Sequence, residues 1–276
     1  MIITMNSIAL SGQAGHPAGI PLLFHELARL GWGLAVGVFL ASFTLLAAEA
    51  VLTGDHIATP EGDLIIHPIN HATLALGWMD KIIYVDPVGG SKRFQGLPHP
   101  DLVLITDIHA DHLDVQTLTA VASSQTVFVA PPEVMNRLPA SLRSRSTELA
   151  NNQAKSVLGL MIEAVPAYNL TTDRLQYHPK GRGNGYVLTL GPKRIYLSGD
   201  TEDTPEMRAL KNIDVAFLCM NLPYTMNVKQ AAEAVRAFHP KIVYPDHYRG
   251  SDLEQFKKLV GTDSGVEVRI RDWYAP

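Results

Sequence analysis

The sequence contains very little cysteine and no excess of basic residues, and both shortages exclude classes of protein. Its 276 residues include one cysteine, Cys219, so no disulfide can form within the chain and a zinc site built from thiolates is not expected. The formal net charge is -4 at pH 7, which offers no basic surface for nucleic acid. The sequence also lacks long linkers, low-complexity tracts and short repeats, so we expect residues 51–276 to form a single domain.

An uncharged, apolar run at residues 34–48 distinguishes the N-terminal segment. Arg29 precedes this run and Ala48-Glu49-Ala50 offers small residues for cleavage, which is the layout of a secretory signal peptide. A membrane anchor through residues 31–48 is the second interpretation, because the run approaches the ~18 residues that can span a bilayer. A buried helix is the third. We predict that residues 1–50 are a signal peptide or membrane anchor and that the protein is exported (periplasmic or extracellular) or membrane-anchored. It would be cytoplasmic if the segment is not a signal.

Apolar runs of strand length alternate with helical patterns after residue 51. The strand-like segments are 63–68, 72–76, 81–87, 102–105, 126–130, 156–164, 185–190, 194–198, 215–220 and 241–245. Helices are predicted at 131–135, 228–238 and 251–260, and after the N-cap Asp114. Each half of the chain runs from strands to mixed strands and helices. This order predicts an α/β (α+β) fold in which two similar halves pack sheet to sheet with helices outside.

The glycine-rich segment 181–185 is not a phosphate-binding motif. It precedes a strand, whereas a phosphate-binding loop leads into the N-terminus of a helix. We therefore predict that it is a loop and exclude a doubly wound nucleotide-binding sheet.

The strongest chemical signal is the segment 106–112, Thr-Asp-Ile-His-Ala-Asp-His, which follows the strand-like run 102–105. Its metal-competent side chains are Asp107, His109, Asp111 and His112. His178 lies before another predicted strand, and Asp200 and His247 each lie after one. Imidazoles and carboxylates bind Zn²⁺, Mn²⁺ and Fe, so the pattern predicts a shared metal site on one edge of the sandwich.

In order and spacing, these residues resemble the signature of the metallo-β-lactamase superfamily: His-x-His-x-Asp-His, a distant His, an Asp after Ser/Thr-Gly, and a final His. Upstream, the segments 70–73 and 84–87 resemble elements of the branch that includes ascorbate-phosphate lactonase and N-acylphosphatidylethanolamine phospholipase D. The resemblance covers roughly residues 55–275. It implies a four-layer αββα sandwich and a metal-dependent hydrolase.

The resemblance also implies two divalent metal ions. Zn²⁺ is the expected ion, with Mn²⁺ or Fe²⁺ as alternatives. One ion would be held by Asp107, His109 and His178. The other would be held by Asp111, His112 and His247, and Asp200 would bridge the two. A hydroxide shared by the ions would be the nucleophile, and Asp111 would orient it or pass a proton to the leaving group.

Asp107 departs from the signature, which has histidine at this position. A carboxylate oxygen binds zinc at about the same distance as an imidazole nitrogen, ~2.0–2.2 Å, so Asp107 can serve as a ligand. Its negative charge would favour harder ions such as Mn²⁺ or Fe²⁺. The alternative is that Asp107 only accepts a hydrogen bond beside the site and that the first metal position is weak or empty.

Further residues are candidates for supporting roles. His71 matches an upstream histidine of the family and is predicted to act as an acid or oxyanion donor, with a structural histidine as the alternative. Asp86 is expected to orient a ligand histidine or to cap a turn. Tyr168, Asn169 and the segment 223–226 are candidates for lining the substrate pocket, with packing roles as the alternative.

We expect the enzyme to hydrolyse a small-molecule substrate that carries a polarisable carbonyl or phosphoryl oxygen. Lactones, esters or thioesters, amides and phosphodiesters have this chemistry. Two other classes remain open on the same fold, a di-iron oxidoreductase and a metal-stabilised binding module without turnover. The sequence does not choose among substrates or fix an oligomeric state.

Overall fold

Two seven-stranded sheets organise residues 51–274, which are the residues that the computed structural model describes. The first sheet contains β1 (Asp55–Ile57), β2 (Leu64–Asn70), β3 (Thr73–Trp78), β4 (Lys81–Val85), β5 (Leu102–Leu104), β6 (Val127–Ala130) and β7 (Ser146–Glu148). The second contains β8 (Ala154–Val157), β9 (Leu160–Ala167), β10 (Gly183–Leu190), β11 (Lys193–Leu197), β12 (Val215–Cys219), β13 (Ile242–Asp246) and β14 (Glu267–Val268). The predicted signal peptide or anchor lies outside the described residues.

The two sheets repeat one pattern of pairing. Strands β1 to β4 are antiparallel and β4 to β7 are parallel. In the second sheet, β8 to β11 are antiparallel and β11 to β14 are parallel. This repetition confirms the prediction of two similar halves.

Alternate side chains along the central strands fill different layers of the core. Ile83 of β4 and Tyr186 of β10 belong to the core between the sheets. Their neighbours Tyr84 and Val187 point the other way, toward the helices. Successive side chains of a strand face opposite sides, and both sides are buried here, so these strands read as continuous apolar runs in the sequence.

Helices cover the outer face of each sheet, which completes the predicted four-layer αββα sandwich. The first sheet is covered by α1 (Val115–Val121), α2 (Pro132–Met135) and α3 (Ala140–Arg143), and the second by α4 (Pro205–Arg208), α5 (Val228–Phe238) and α6 (Leu253–Val260). Asp114 caps α1 as predicted, and Asn227 caps α5 in a capping box with Gln230. Three short 3₁₀ turns lie at Ser91–Phe94, Thr172–Arg174 and Thr262–Ser264.

Among residues 51–274, none of the helices combines the length and the apolar character that crossing a membrane would require.

Two local predictions are wrong. The segment 156–164 is the hairpin β8–β9, which turns at Leu158 and Gly159 with φ of 52° and 78°. Leucine rarely adopts a positive φ, so the sequence carried no clear turn signal. The segment predicted as a loop at 181–185 instead contributes the first three residues of β10. A Cβ at Gly185 would lie 2.7 Å from the Ser198 carbonyl oxygen, so glycine here permits close strand packing.

Candidate metal centre

The predicted metal-binding side chains converge at one edge of the sandwich. Asp86 directly follows β4, and His247 directly follows β13. Asp200 lies just beyond β11, and the segment 106–112 follows β5. His71 lies in the turn between β2 and β3. Three of these residues, His71, Asp86 and His247, have positive φ of 57°, 44° and 41°. Left-handed backbone at non-glycine residues often marks functional sites, where the surrounding structure enforces it.

The best-formed ligand set is His112, Asp200 and His247, which we call the inner group. Their ligand atoms lie within 4.8 Å of one another and all three residues are buried. Asp200 Oδ2 lies 3.2 Å from His112 Nε2, and Asp200 Oδ1 lies 3.3 Å from His247 Nε2. Within residues 51–274, His112 Nε2, His247 Nε2 and Asp200 Oδ1 have no hydrogen-bond partner. Buried polar atoms are rarely left without partners, so this convergent set fits a divalent ion.

A second ligand set, the outer group, contains Asp107, His109 and His178. Asp107 Oδ2 lies 3.0 Å from His109 Nδ1 and 3.9 Å from His178 Nε2. His178 Nε2 is also 3.1 Å from Asp200 Oδ2. Asp200 therefore lies between the inner and outer groups, at the place that the predicted bridging role requires.

Asp111 lies at the mouth of the centre, with its side chain 47% exposed. Its Oδ2 is 3.4 Å from His71 Nε2 and 3.5 Å from His247 Nε2, and its Oδ1 is 3.9 Å from His112 Nε2. The rings of His71 and His247 are tilted by 35° to each other with centroids 3.6 Å apart. The structure thus brings His71 and Asp111 to the same centre as the inner group.

Hydrogen bonds at the far nitrogens hold several of these imidazoles in position. Asp86 Oδ2 lies 2.8 Å from His112 Nδ1, as the orienting role predicted for Asp86 requires. The amide oxygen of Asn169 is 2.6 Å from His178 Nδ1, and the Tyr274 hydroxyl is 2.5 Å from His71 Nδ1. Such contacts select the tautomer and turn the other nitrogen toward a metal.

The charges of the inner group stabilise one another. Burial alone would lower the pKa of His112, but the carboxylates of Asp200 and Asp86 raise it well above the usual histidine value. Burial would likewise raise the pKa of Asp200, yet His247 and His112 hold it well below the usual range. Asp200 also raises the pKa of His247 against the effect of burial. An ion that binds here must therefore displace protons from imidazoles.

Arg182 is the important residue that sequence reasoning missed. Its Nε donates to Asp107 Oδ1 at 3.0 Å and its Nη2 donates to Asp107 Oδ2 at 2.9 Å. Nη2 also lies 3.2 Å from His109 Nε2 and donates to the Tyr177 carbonyl oxygen. Its location in the glycine-rich segment 181–185, just before β10, was the one available signal.

A cavity of about 320 Å³ opens beside the centre. It is lined by His109, Asp111, Tyr177, His178, Asp200, Asn221, Tyr224 and His247. Tyr177 and Tyr224 meet edge to face with ring centroids 5.0 Å apart, and they form an aromatic wall of this cavity. The prediction that the segment 223–226 contributes to the pocket is therefore correct for Tyr224.

The two other candidates for lining the pocket have different surroundings. Asn169 is buried and hydrogen-bonds His178, so it positions this metal-binding histidine and does not line the cavity. The Tyr168 ring lies under Lys180, and its hydroxyl donates to Glu206 at 2.9 Å. The packing alternative therefore applies to Tyr168.

Comparisons with known proteins agree with this geometry. A family model described as "Beta-lactamase superfamily domain" matches residues 82–248. The UPF0173 metal-dependent hydrolase of Pyrococcus abyssi is 31% identical over 215 residues, which cover 72% of this chain and 93% of that protein. A crystal structure of a candidate metal-dependent hydrolase from Parabacteroides distasonis is 43% identical with a TM-score of 0.74, covering 80% of this chain and 99% of that one.

One more distant structure shares the fold alone. The diiron β-hydroxylase CmlA of Streptomyces venezuelae is 19% identical with a TM-score of 0.59, covering 78% of this chain and 54% of that chain. Taken with the family match, these likenesses confirm the predicted fold. The chain belongs to the metallo-β-lactamase superfamily and is a metal-dependent hydrolase.

Proposed function

We propose that the enzyme hydrolyses an acyl substrate, a lactone, ester, thioester or amide, with a divalent ion at the inner group. The observation that carries this proposal is the buried, convergent and unpartnered set of His112 Nε2, His247 Nε2 and Asp200 Oδ1 within residues 51–274. Zn²⁺ suits a set of imidazoles and carboxylate, and Mn²⁺ or Fe²⁺ are the alternatives. The second ion that the resemblance implies would belong to the outer group.

A bound divalent ion would supply two kinds of chemistry, a lower pKa for a coordinated water and polarisation of the substrate oxygen under attack. Asp111 then has the position of a proton-handling residue, because it is half-exposed at the cavity and close to both His71 and His247. We assign to it the orientation of the attacking water and proton transfer to the leaving group.

His71 supports Asp111 in this assignment. Burial lowers the pKa of His71 despite its contact with Asp111, so the imidazole is neutral near pH 7. Its two nitrogens bridge the Tyr274 hydroxyl and the Asp111 carboxylate. This arrangement holds the Asp111 carboxylate toward the centre.

The cavity favours uncharged acyl groups over phosphodiesters. Its lining within residues 51–274 contains no lysine or arginine that could pair with a phosphate. The aromatic wall of Tyr177 and Tyr224 instead suits a flat or apolar substituent. We therefore place phosphodiesters second.

A substrate screen tests this proposal. Purified protein, stripped with a chelator and reloaded with Zn²⁺ or Mn²⁺, is assayed on aryl and alkyl lactones, esters, thioesters, amides and a bis-aryl phosphodiester. We expect metal-dependent turnover of at least one acyl class, abolished in Asp200→Asn and retained in Lys180→Ala, whose lysine is exposed and pairs with Glu206. Turnover of the phosphodiester alone would overturn the substrate assignment. Metal binding with no turnover on any class would favour a binding module.

An iron-dependent oxidoreductase is the second candidate. It is supported by the shared fold with the diiron β-hydroxylase and by the imidazoles and carboxylate of the inner group, which also suit iron. Protein expressed in iron-supplemented medium would then carry iron with absorption bands that change on reduction. A colourless protein that is active with Zn²⁺ would contradict it.

Export stays a proposal from the sequence. Intact-mass measurement of protein recovered from its native compartment tests it, because cleavage at residues 48–50 would remove the N-terminal segment. Recovery of the complete chain in the cytoplasmic fraction would overturn it.

A further inference from the structure

We propose that the Arg182 guanidinium replaces one of the two cations implied by the family resemblance, so that the centre binds a single divalent ion tightly, at the inner group. This inference rests on the proposed metal site but concerns how many ions it takes. It assigns to Arg182 the role of a fixed cation at the outer group.

The geometry at Asp107 supports this role. Both carboxylate oxygens accept from Arg182 in a bidentate pair, and the two side chains are only 3% and 15% exposed. Bidentate arginine–carboxylate pairs are among the strongest charge-assisted hydrogen bonds, and arginine stays charged at any ordinary pH. The Tyr177 carbonyl accepts from the same guanidinium, which fixes its position further.

The inner and outer groups differ in which ligand atoms are already engaged. Both oxygens of Asp107 have a partner, and Arg182 Nη2 also lies 3.2 Å from the Nε2 of His109. By contrast, the facing atoms of the inner group have no partner among the described residues. His178 Nε2 is also unpartnered within residues 51–274, and it lies nearer to Asp200 than to Asp107.

Charge balance leads to the same conclusion. The family signature has a neutral histidine where this chain has the anionic Asp107. Arg182 compensates that charge within hydrogen-bonding distance, so the pair is neutral overall. An ion bound at Asp107 would face the guanidinium as a like charge, and partial burial strengthens that repulsion. Gly183 lets the chain come close, because a Cβ there would lie 3.3 Å from the Thr106 carbonyl oxygen.

Metal stoichiometry tests the proposal without relying on activity. Chelator-stripped protein is titrated with Zn²⁺ by calorimetry, and the metal content is measured by mass spectrometry after gel filtration. We expect one tight equivalent for the wild type and for Lys180→Ala, which removes a neighbouring positive charge that does not touch Asp107. We expect two equivalents for Arg182→Ala.

A double variant keeps the test decisive if Arg182→Ala does not fold, since that change leaves a buried carboxylate without its partner. Asp107→His combined with Arg182→Ala removes both charges and makes the outer group all-imidazole, as in the family signature, and we expect two tight equivalents. Two equivalents in the wild type, or one in the folded double variant, would overturn the proposal. A wild type that binds no metal would instead contradict the proposed function itself.

Discussion

The Nδ1 atom of His112 lies 2.8 Å from Oδ2 of Asp86, and both side chains are fully buried. The same carboxylate accepts from the Thr106 backbone N–H at 2.8 Å and from its hydroxyl at 2.5 Å. Asp86 is thus fixed by Thr106, which follows β5, and in turn fixes the imidazole. A proton on Nδ1 leaves the lone pair of Nε2 directed at Asp200, where a metal can accept it.

Asp86→Asn should weaken metal binding without removing any ligand. Loss of the carboxylate partner of a metal-bound histidine typically costs about 10–100-fold in affinity, and we expect a decrease of that size. Calorimetric titration with Zn²⁺ measures it. Asp263→Asn, which changes an exposed carboxylate paired with Arg236, is the control and should bind like the wild type. Equal affinity for the two variants would contradict an orienting role.

Metal-induced stabilisation should increase as pH rises. The pKa values of His112 and His247 are raised in the protein, so the protons on them stabilise the metal-free fold at low pH and this contribution is lost as pH rises through those pKa values. A metal ion binds these imidazoles only when they are deprotonated. The stability that the ion adds to the fold therefore increases as pH rises. Melting temperatures of stripped and reloaded protein between pH 5.5 and pH 8.5 check this. A constant or shrinking difference over that range would show that these histidines do not bind the ion.

His71→Gln should lower kcat while leaving metal content unchanged. His71 orients Asp111 and is not a member of the inner group, so we expect a loss of about 100-fold, the low end of general acid–base effects. Tyr274→Phe removes the hydroxyl that holds His71 and should produce a smaller decrease in the same parameter. Kinetics and elemental analysis on both variants test this. An unchanged kcat in His71→Gln would support a structural histidine.

Tyr224→Ala should raise KM for aryl substrates by about 10-fold, the size of one aromatic contact. Tyr224→Phe keeps the ring that meets Tyr177 and should stay close to the wild type. The metal content should not change in either variant, because the Tyr224 side chain forms part of the wall of the cavity and its backbone carbonyl, which accepts from Asn169, is kept. An equal effect on aryl and small alkyl substrates would argue against an aromatic subsite.

The metal-binding edge was predictable because its signals are local. Each ligand type follows an apolar run, and parallel strands place their carboxyl ends together, so His112, Asp200 and His247 could be grouped from the sequence. The central strands are buried on both faces, so they appear in the sequence as continuous apolar runs and could be located from it. The orienting role of Asp86 followed from the same reasoning, although its contact with His112 spans 26 residues.

The features that were missed depend on tertiary contacts without a local pattern. Arg182 meets Asp107 across 75 residues, and nothing in the glycine-rich segment indicates which carboxylate it would reach. Asn169 could be placed near the pocket, but its bond to His178 depends on the path of the intervening loop. The hairpin at Leu158 was hidden because an apolar residue occupies a turn position that usually requires glycine or asparagine.

Stripping and restoring the metal tests the central claim most directly. The rate of hydrolysis of the best acyl substrate is measured for chelator-treated protein before and after one equivalent of Zn²⁺, in the wild type and in His112→Ala. We predict that the stripped wild type is inactive and recovers with the added ion, whereas His112→Ala recovers little at that concentration. Full activity of the stripped protein, or equal recovery of His112→Ala, would contradict a catalytic ion at His112, Asp200 and His247.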